Sequence, residues 1–136
     1  MIGVLVITHG NLARELINVA QFIKGDISDV TPISVDATKS VESVKKEMIA
    51  AIKKADNGKG VMILTDLFGG TPSNISLSFL KKNKVEVVTG VNLPMLLKMC
   101  ELRGKNSLAE CAEKIKEYGK KNIYLASEVL ARKAGT

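Results

Sequence analysis

Three short apolar runs constrain this chain more than any other feature: Ile2 to Ile7 and Val61 to Leu64, both free of polar residues, and Val85 to Val88, interrupted only by Glu86. A strand with one wet face alternates apolar and polar residues, whereas a strand covered on both faces reads as a continuous apolar run. Strands of that kind belong to parallel sheets with helices on both sides, and helical periodicity does lie between these runs. Leu12, Leu16, Val19, Ala20 and Ile23 form the expected apolar stripe of a first helix stopped by Gly25. Val41, Val44, Met48, Ile52 and Ala55 do the same for a second. A third is expected from Thr71 as N-cap and Pro72 at the first helical position to about Lys82, a fourth from near Asn92 to Pro94, and a fifth from Ser107, which forms a capping box with Glu110.

A weaker strand, Val30 to Val35, contains Pro32, which cannot donate to a sheet ladder and so belongs on an edge. Right-handed crossovers then give an α/β fold with a doubly wound, mainly parallel sheet in the order 2-1-3-4. Strands one and three are neighbours where the winding direction reverses. Asn122 to Ser127, with Ile123, Tyr124 and Leu125, reads as a short further strand that this unit does not need, available to pair with another subunit. The chain is expected to be one domain over residues 1–136, with an α/β core to about 120 and a C-terminal strand and tail over about 121–136, frayed from Ala131 to Thr136.

Composition narrows the function classes. No apolar run approaches the roughly 20 residues that cross a bilayer, and MIGVLVITHG lacks the basic region and cleavage site of a signal peptide. A cytoplasmic location is the expectation. Cys100 and Cys111 are spaced too widely for a CxxC motif and read as small buried hydrophobes. The net charge of +6 could suggest nucleic acid, yet the lysines interleave with glutamates along helices and aromatics amount to only 4%, so no basic groove with stacking platforms is expected.

Open parallel sheets bind ligands beyond the carboxyl ends of their strands, at the reversal point. His9, the only histidine, follows strand one there, and Asp66 follows strand three. A carboxylate holding Nδ1–H would fix the tautomer, direct attack through Nε2, and balance the charge of a phosphorylated ring. Gly69 and Gly70 would let the backbone approach an oxyanion, with free N–H groups around Ser73 and Asn74 behind them and the hydroxyls of Thr8, Thr71 and Ser73 as further donors. No metal or cofactor is implied. Each piece alone has an ordinary structural explanation; their convergence on one end of adjacent strands points to a histidine nucleophile with a phosphate cradle.

At these residues the chain resembles a known family, the IIA domain of the mannose-family sugar phosphotransferase system. The likeness runs through Thr8-His9-Gly10, the Asp66 to Asn74 segment with Gly-Gly-Thr-Pro, and Thr89-Gly90-Val91-Asn92-Leu93-Pro94-Met95-Leu96. It implies that His9 accepts a phosphoryl group on Nε2 from the phosphohistidine of the carrier protein HPr, with Asp66 as orienter, and passes it to a histidine of a IIB component. IIB would serve the membrane components IIC and IID, to which the chain would be peripheral, and the sugar would be their choice. Gly70, Thr71 and Ser73 would hold the phosphate. The resemblance also implies a homodimer exchanging a C-terminal strand, here Ile123 to Ala126. A related domain of dihydroxyacetone-kinase phosphoryl donors lacks the Gly-Gly-Thr-Pro pattern.

Rival readings fail on inventory. A histidine phosphatase wants a preceding arginine and a second histidine, and a receiver domain wants an acidic pair after strand one. Neither GxxxxGK[ST] nor GxGxxG follows a strand. The alternative that stays open is a stand-alone regulatory module whose phosphorylation at His9 controls docking to a regulator or enzyme.

Overall fold

The structure, a computed structural model, describes residues 1–135; Thr136, the end of the expected tail, lies outside them. Strands β1 (Gly3–His9), β2 (Thr31–Val35), β3 (Val61–Thr65) and β4 (Val85–Val88) alternate with helices α1 (Leu12–Lys24), α2 (Val41–Ala55) and α3 (Thr71–Leu77). Helices α4 (Leu93–Leu102), α5 (Leu108–Lys121) and α6 (Ala126–Gly135) complete the chain. The sheet has the order β2-β1-β3-β4, and every pair in it is parallel. Pro32 lies on edge strand β2 opposite Val6, where its missing N–H leaves no gap inside the sheet.

The sheet separates two apolar layers, and the two-residue period of the strands decides which side chain enters which. Val4, Val6, Met62 and Leu64 join Ala13, Ile17, Leu96, Met99, Cys111 and Ile115 in the layer under α1, α4 and α5. Leu5, Ile7, Val61 and Ile63 join Val44, Met48 and Ile75 under α2 and α3. The ends of α4 and α5 follow from local chemistry. Asn92 caps α4 by accepting from the Met95 N–H at 3.0 Å, and the Ser107–Glu110 capping box is complete.

Three expectations need correction. In α1 the expected stripe holds at Ala20, which is buried, and at Leu16, which is half-buried against the core, but Leu12, Val19 and Ile23 are exposed and Ala13 and Ile17 are buried instead. Both stripes satisfy a helical period, and the alanines let the helix lie close to the sheet. Helix α3 starts one residue earlier than expected, with Gly70 as N-cap and Thr71 as its first residue, and ends at Leu77 rather than near Lys82. The hydroxyls of Ser76 and Ser78 donate to the Pro72 and Ile75 carbonyls at 2.7 and 2.6 Å, local bonds that compete with continued helix.

The third correction is the C-terminal strand. Residues 123–125 form an irregular connection, and Ala126 opens a helix in which the Leu125 carbonyl accepts from Glu128 and Val129 N–H groups at 3.0 and 3.3 Å. Ile123, Tyr124 and Leu125 lack period-two alternation, and the helix formers after them place Glu128 in the first turn and Arg132 and Lys133 in the last, as the helix dipole favours. The expected fraying from Ala131 gives way to helix as far as Gly135.

Candidate phosphoryl-acceptor site

His9 is the last residue of β1, two positions beyond Ile7, which pairs with Thr65 at the end of β3. Asp66 follows Thr65 directly, so the topology alone brings His9 and Asp66 together at the reversal point. The contact is tight. One carboxylate oxygen, Oδ2, accepts from the His9 backbone N–H at 3.0 Å and stands 2.7 Å from Nδ1 of its ring. The other, Oδ1, accepts from the Leu67 N–H at 3.0 Å.

An ionised carboxylate can only accept, so the proton between Oδ2 and the ring sits on Nδ1, and the lone pair of the neutral imidazole sits on Nε2. Burial, the largest single influence on Asp66, disfavours its charge. The bonds from the His9 ring and backbone, attraction to His9 and the Leu67 N–H together outweigh it and hold the carboxyl below its ordinary 3.8. The Asp66 side chain is 10% exposed and that of His9 is 51% exposed, so a sheltered anion orients an accessible ring.

The loop after Asp66 closes over Nε2. A Cβ placed on Gly70 would stand 2.8 Å from His9 Cε1 and 3.3 Å from Nε2, so only glycine lets the backbone come this close to the ring. Gly69 has φ +97° and open space where a side chain would be, which lets the turn face solvent. Pro72 has no N–H, and the Asn74 N–H is taken by the Gly70 carbonyl at 2.9 Å. Helix geometry therefore leaves Thr71 and Ser73 as the free donors of the first turn, in place of the expected Ser73 and Asn74.

Two expected donors face elsewhere. Thr8 is fully buried, and its hydroxyl accepts from the Ala13 N–H at 2.8 Å, so it fastens the start of α1. Pleat alternation puts Thr8 in the α1 layer while its neighbour His9 faces the other side. Ser73 is also fully buried, and its hydroxyl has no partner among the described residues. Thr71 is exposed. Sequence reasoning missed Leu67 and Phe68, which are 50% and 72% exposed between Asp66 and Gly69. The available signal was an apolar pair inside a turn whose strand had already ended. Among the described residues no group of three His, Cys, Asp or Glu side chains could hold a metal ion, and no helix is long and apolar enough to cross a membrane.

The family model described as PTS system fructose IIA component matches residues 3–116. The fructose-specific EIIA component of Bacillus subtilis (strain 168) is 26% identical over 133 residues, covering 97% of this chain and 91% of that protein. The mannose-specific EIIAB component of Escherichia coli (strain K12) is 34% identical over 97 residues, which are 71% of this chain but 30% of that longer protein. Among solved structures, the phosphotransferase system component EIIA from Streptococcus agalactiae superposes with a TM-score of 0.86 at 26% identity, covering 94% of this chain and 99% of that one.

Proposed function

From the premise that the chain belongs to the mannose family of sugar phosphotransferase IIA components, we propose that His9 is the phosphoryl acceptor and that the protein relays the group between two protein partners. The observation that carries this reading is the 2.7 Å contact of Nδ1 with Asp66 Oδ2, which leaves Nε2 as the free nucleophile beneath the Gly70 backbone.

The proposed step is an in-line displacement. The Nε2 lone pair attacks the phosphorus of a donor phosphohistidine, on HPr, as the donor P–N bond breaks and its electron pair returns to the donor imidazole. The His9 ring, carrying Nδ1–H and the Nε2–phosphoryl bond, becomes cationic, and Asp66 balances that charge without taking its proton. The N–H groups of Thr71 and Ser73, with the Thr71 hydroxyl, supply donors for the phosphoryl oxygens, and Gly69 and Gly70 supply the close approach. Reversal of the same chemistry delivers the group to a histidine of IIB, which serves IIC and IID. A half-exposed nucleophile suits a protein partner better than an enclosed small substrate. A cavity of about 520 Å³ lies instead at the opposite end of the strands, among Met1, Arg103, Asn106 and Leu108.

Incubation with radiolabelled phosphoenolpyruvate, Enzyme I and HPr tests the reading. The expected label is acid-labile, base-stable and absent from His9→Ala; a labelled His9→Ala protein refutes it. Onward transfer to a IIB protein establishes the relay, and a stable phosphoprotein that gives nothing to IIB establishes the regulatory module. A homodimer is part of the same proposal, supported by the exposed Ile123, Tyr124 and Leu125 and by β4 at the edge of the sheet. Sedimentation of a chain ending at Lys121 should show monomers, and a stable dimer would place the interface elsewhere.

A further inference from the structure

Two hydroxyls on fully buried residues have no hydrogen-bond partner among the described residues: Oγ1 of Thr65 and Oγ of Ser73. An unpaired buried hydroxyl lowers a folding constant by about tenfold or more, so each such group calls for an explanation. The fold places both in one layer. Thr65 ends β3 and follows the alternation of Val61 and Ile63, whose side chains pack under α2 and α3, on the side of the sheet that carries His9. Ser73 lies in the first turn of α3, a helix that packs on β1 and β3, so its buried side meets the same layer. The other buried serine of that helix, Ser76, is satisfied by the Pro72 carbonyl, which shows that the helix can pair a serine internally where that is needed.

Each hydroxyl can both donate and accept, and the two are not bonded to each other. Two such groups in one layer, each without a partner, are what a single internal water satisfies. We propose that a buried water bridges Thr65 Oγ1 and Ser73 Oγ, pinning the first turn of α3 to the end of β3 and so holding the Thr71 and Ser73 N–H groups over His9 Nε2. The direct ties that hold this turn are local: the Leu67 N–H to Asp66, and the Asn74 N–H to Gly70. The bridge adds the missing link to the strand that positions Asp66. Thr65 and Ser73 are thereby positioning residues, and only this positioning role rests on the reading of His9 as phosphoryl acceptor.

A crystal structure of the full chain that resolves ordered solvent should show one water within hydrogen-bond distance of both hydroxyls; none there overturns the bridge. In urea denaturation, the near-isosteric Thr65→Val and the Ser73→Ala change should each lower the folding constant roughly fivefold, and the double variant should lose no more than either single. Losses that multiply, or a Thr65→Val protein as stable as wild type, overturn it. For the positioning role, Thr65→Val should cut the rate of phosphorylation at saturating phospho-HPr by about tenfold with donor affinity unchanged, and Thr65→Ser, which keeps the hydroxyl, should restore it. An unchanged rate in Thr65→Val overturns that role. If the wild-type protein accepts no label, the phosphoryl-acceptor reading fails, while the crystal and denaturation results still decide the bridge.

Discussion

Replacing Asp66 by asparagine keeps the shape of the side chain and removes its charge, and the structure shows why the amide cannot stand in. Asp66 accepts three N–H groups: the His9 backbone and ring on Oδ2, at 3.0 and 2.7 Å, and Leu67 on Oδ1 at 3.0 Å. Asparagine has a single acceptor oxygen. With that oxygen toward His9, its NH₂ group opposes the Leu67 N–H. Turned round, the NH₂ group opposes the His9 backbone donor and asks Nδ1 to accept, which moves the ring proton onto Nε2 and removes the nucleophile. In the better orientation the ring loses a bond to a charged acceptor, a contribution of about 1.5–3 kcal/mol. The imidazolium-like product ring also loses its counter-ion, and its half exposure moderates that loss. A net rise of about 2–3 kcal/mol in the barrier corresponds to a rate roughly 30- to 150-fold slower. Single-turnover transfer from labelled phospho-HPr, with far-ultraviolet dichroism to confirm the fold, measures it. A rate within threefold of wild type would mean that Asp66 is a turn residue, and the orienting argument would fall.

Three other perturbations separate chemistry from stability. Gly70→Ala should fold normally, because φ −86° and ψ 173° suit alanine, yet its Cβ at 2.8 Å from His9 Cε1 must displace the ring, so phosphorylation should fall at least about tenfold with the melting temperature little changed. The folded-state pKa of Asp66 is depressed, so the stability from its ionised form is complete above the unfolded value and is lost as pH falls through the lower one. The gap in denaturation free energy between wild type and Asp66→Asn, followed from pH 5 downward, should narrow only below about pH 4; closure already at pH 5 contradicts the depressed pKa. Arg103 is 6% exposed, and its Nε donates to the Ile2 carbonyl at 2.9 Å, while its ion pair with Asp29 at 2.9 Å ends on a half-exposed carboxylate. Urea denaturation should therefore show a loss of about 2–3 kcal/mol for Arg103→Ala and under about 1 kcal/mol for Asp29→Asn.

What could be read from the residues divides by the range of the interaction that decides it. Strand order followed from the doubly covered apolar runs and from Pro32, and the caps at Asn92 and Ser107 needed only neighbours three residues away. His9 and Asp66 could be paired in advance because their meeting depends on where two adjacent strands end. The turn of α1 toward the sheet was only partly available locally: Ala20 is buried as its spacing suggests, but Leu12, Val19 and Ile23 satisfy the same helical period as the buried Ala13 and Ile17, and only packing against the sheet decides between them. Thr8 is a different case. Alternation along β1 sends Val4 and Val6 to one layer and Leu5 and Ile7 to the other, so a histidine at position 9 forces the residue before it toward α1. That rule needs no coordinates, and it separates the two hydroxyl neighbours of the site by role: Thr8 fastens the helix that follows His9, while Thr65, in step with His9, belongs to the layer under α2 and α3. His9, at the end of a doubly covered strand, is thus held by Thr8 through α1 and by Asp66 beside it, which is why a half-exposed ring can still present one defined nitrogen.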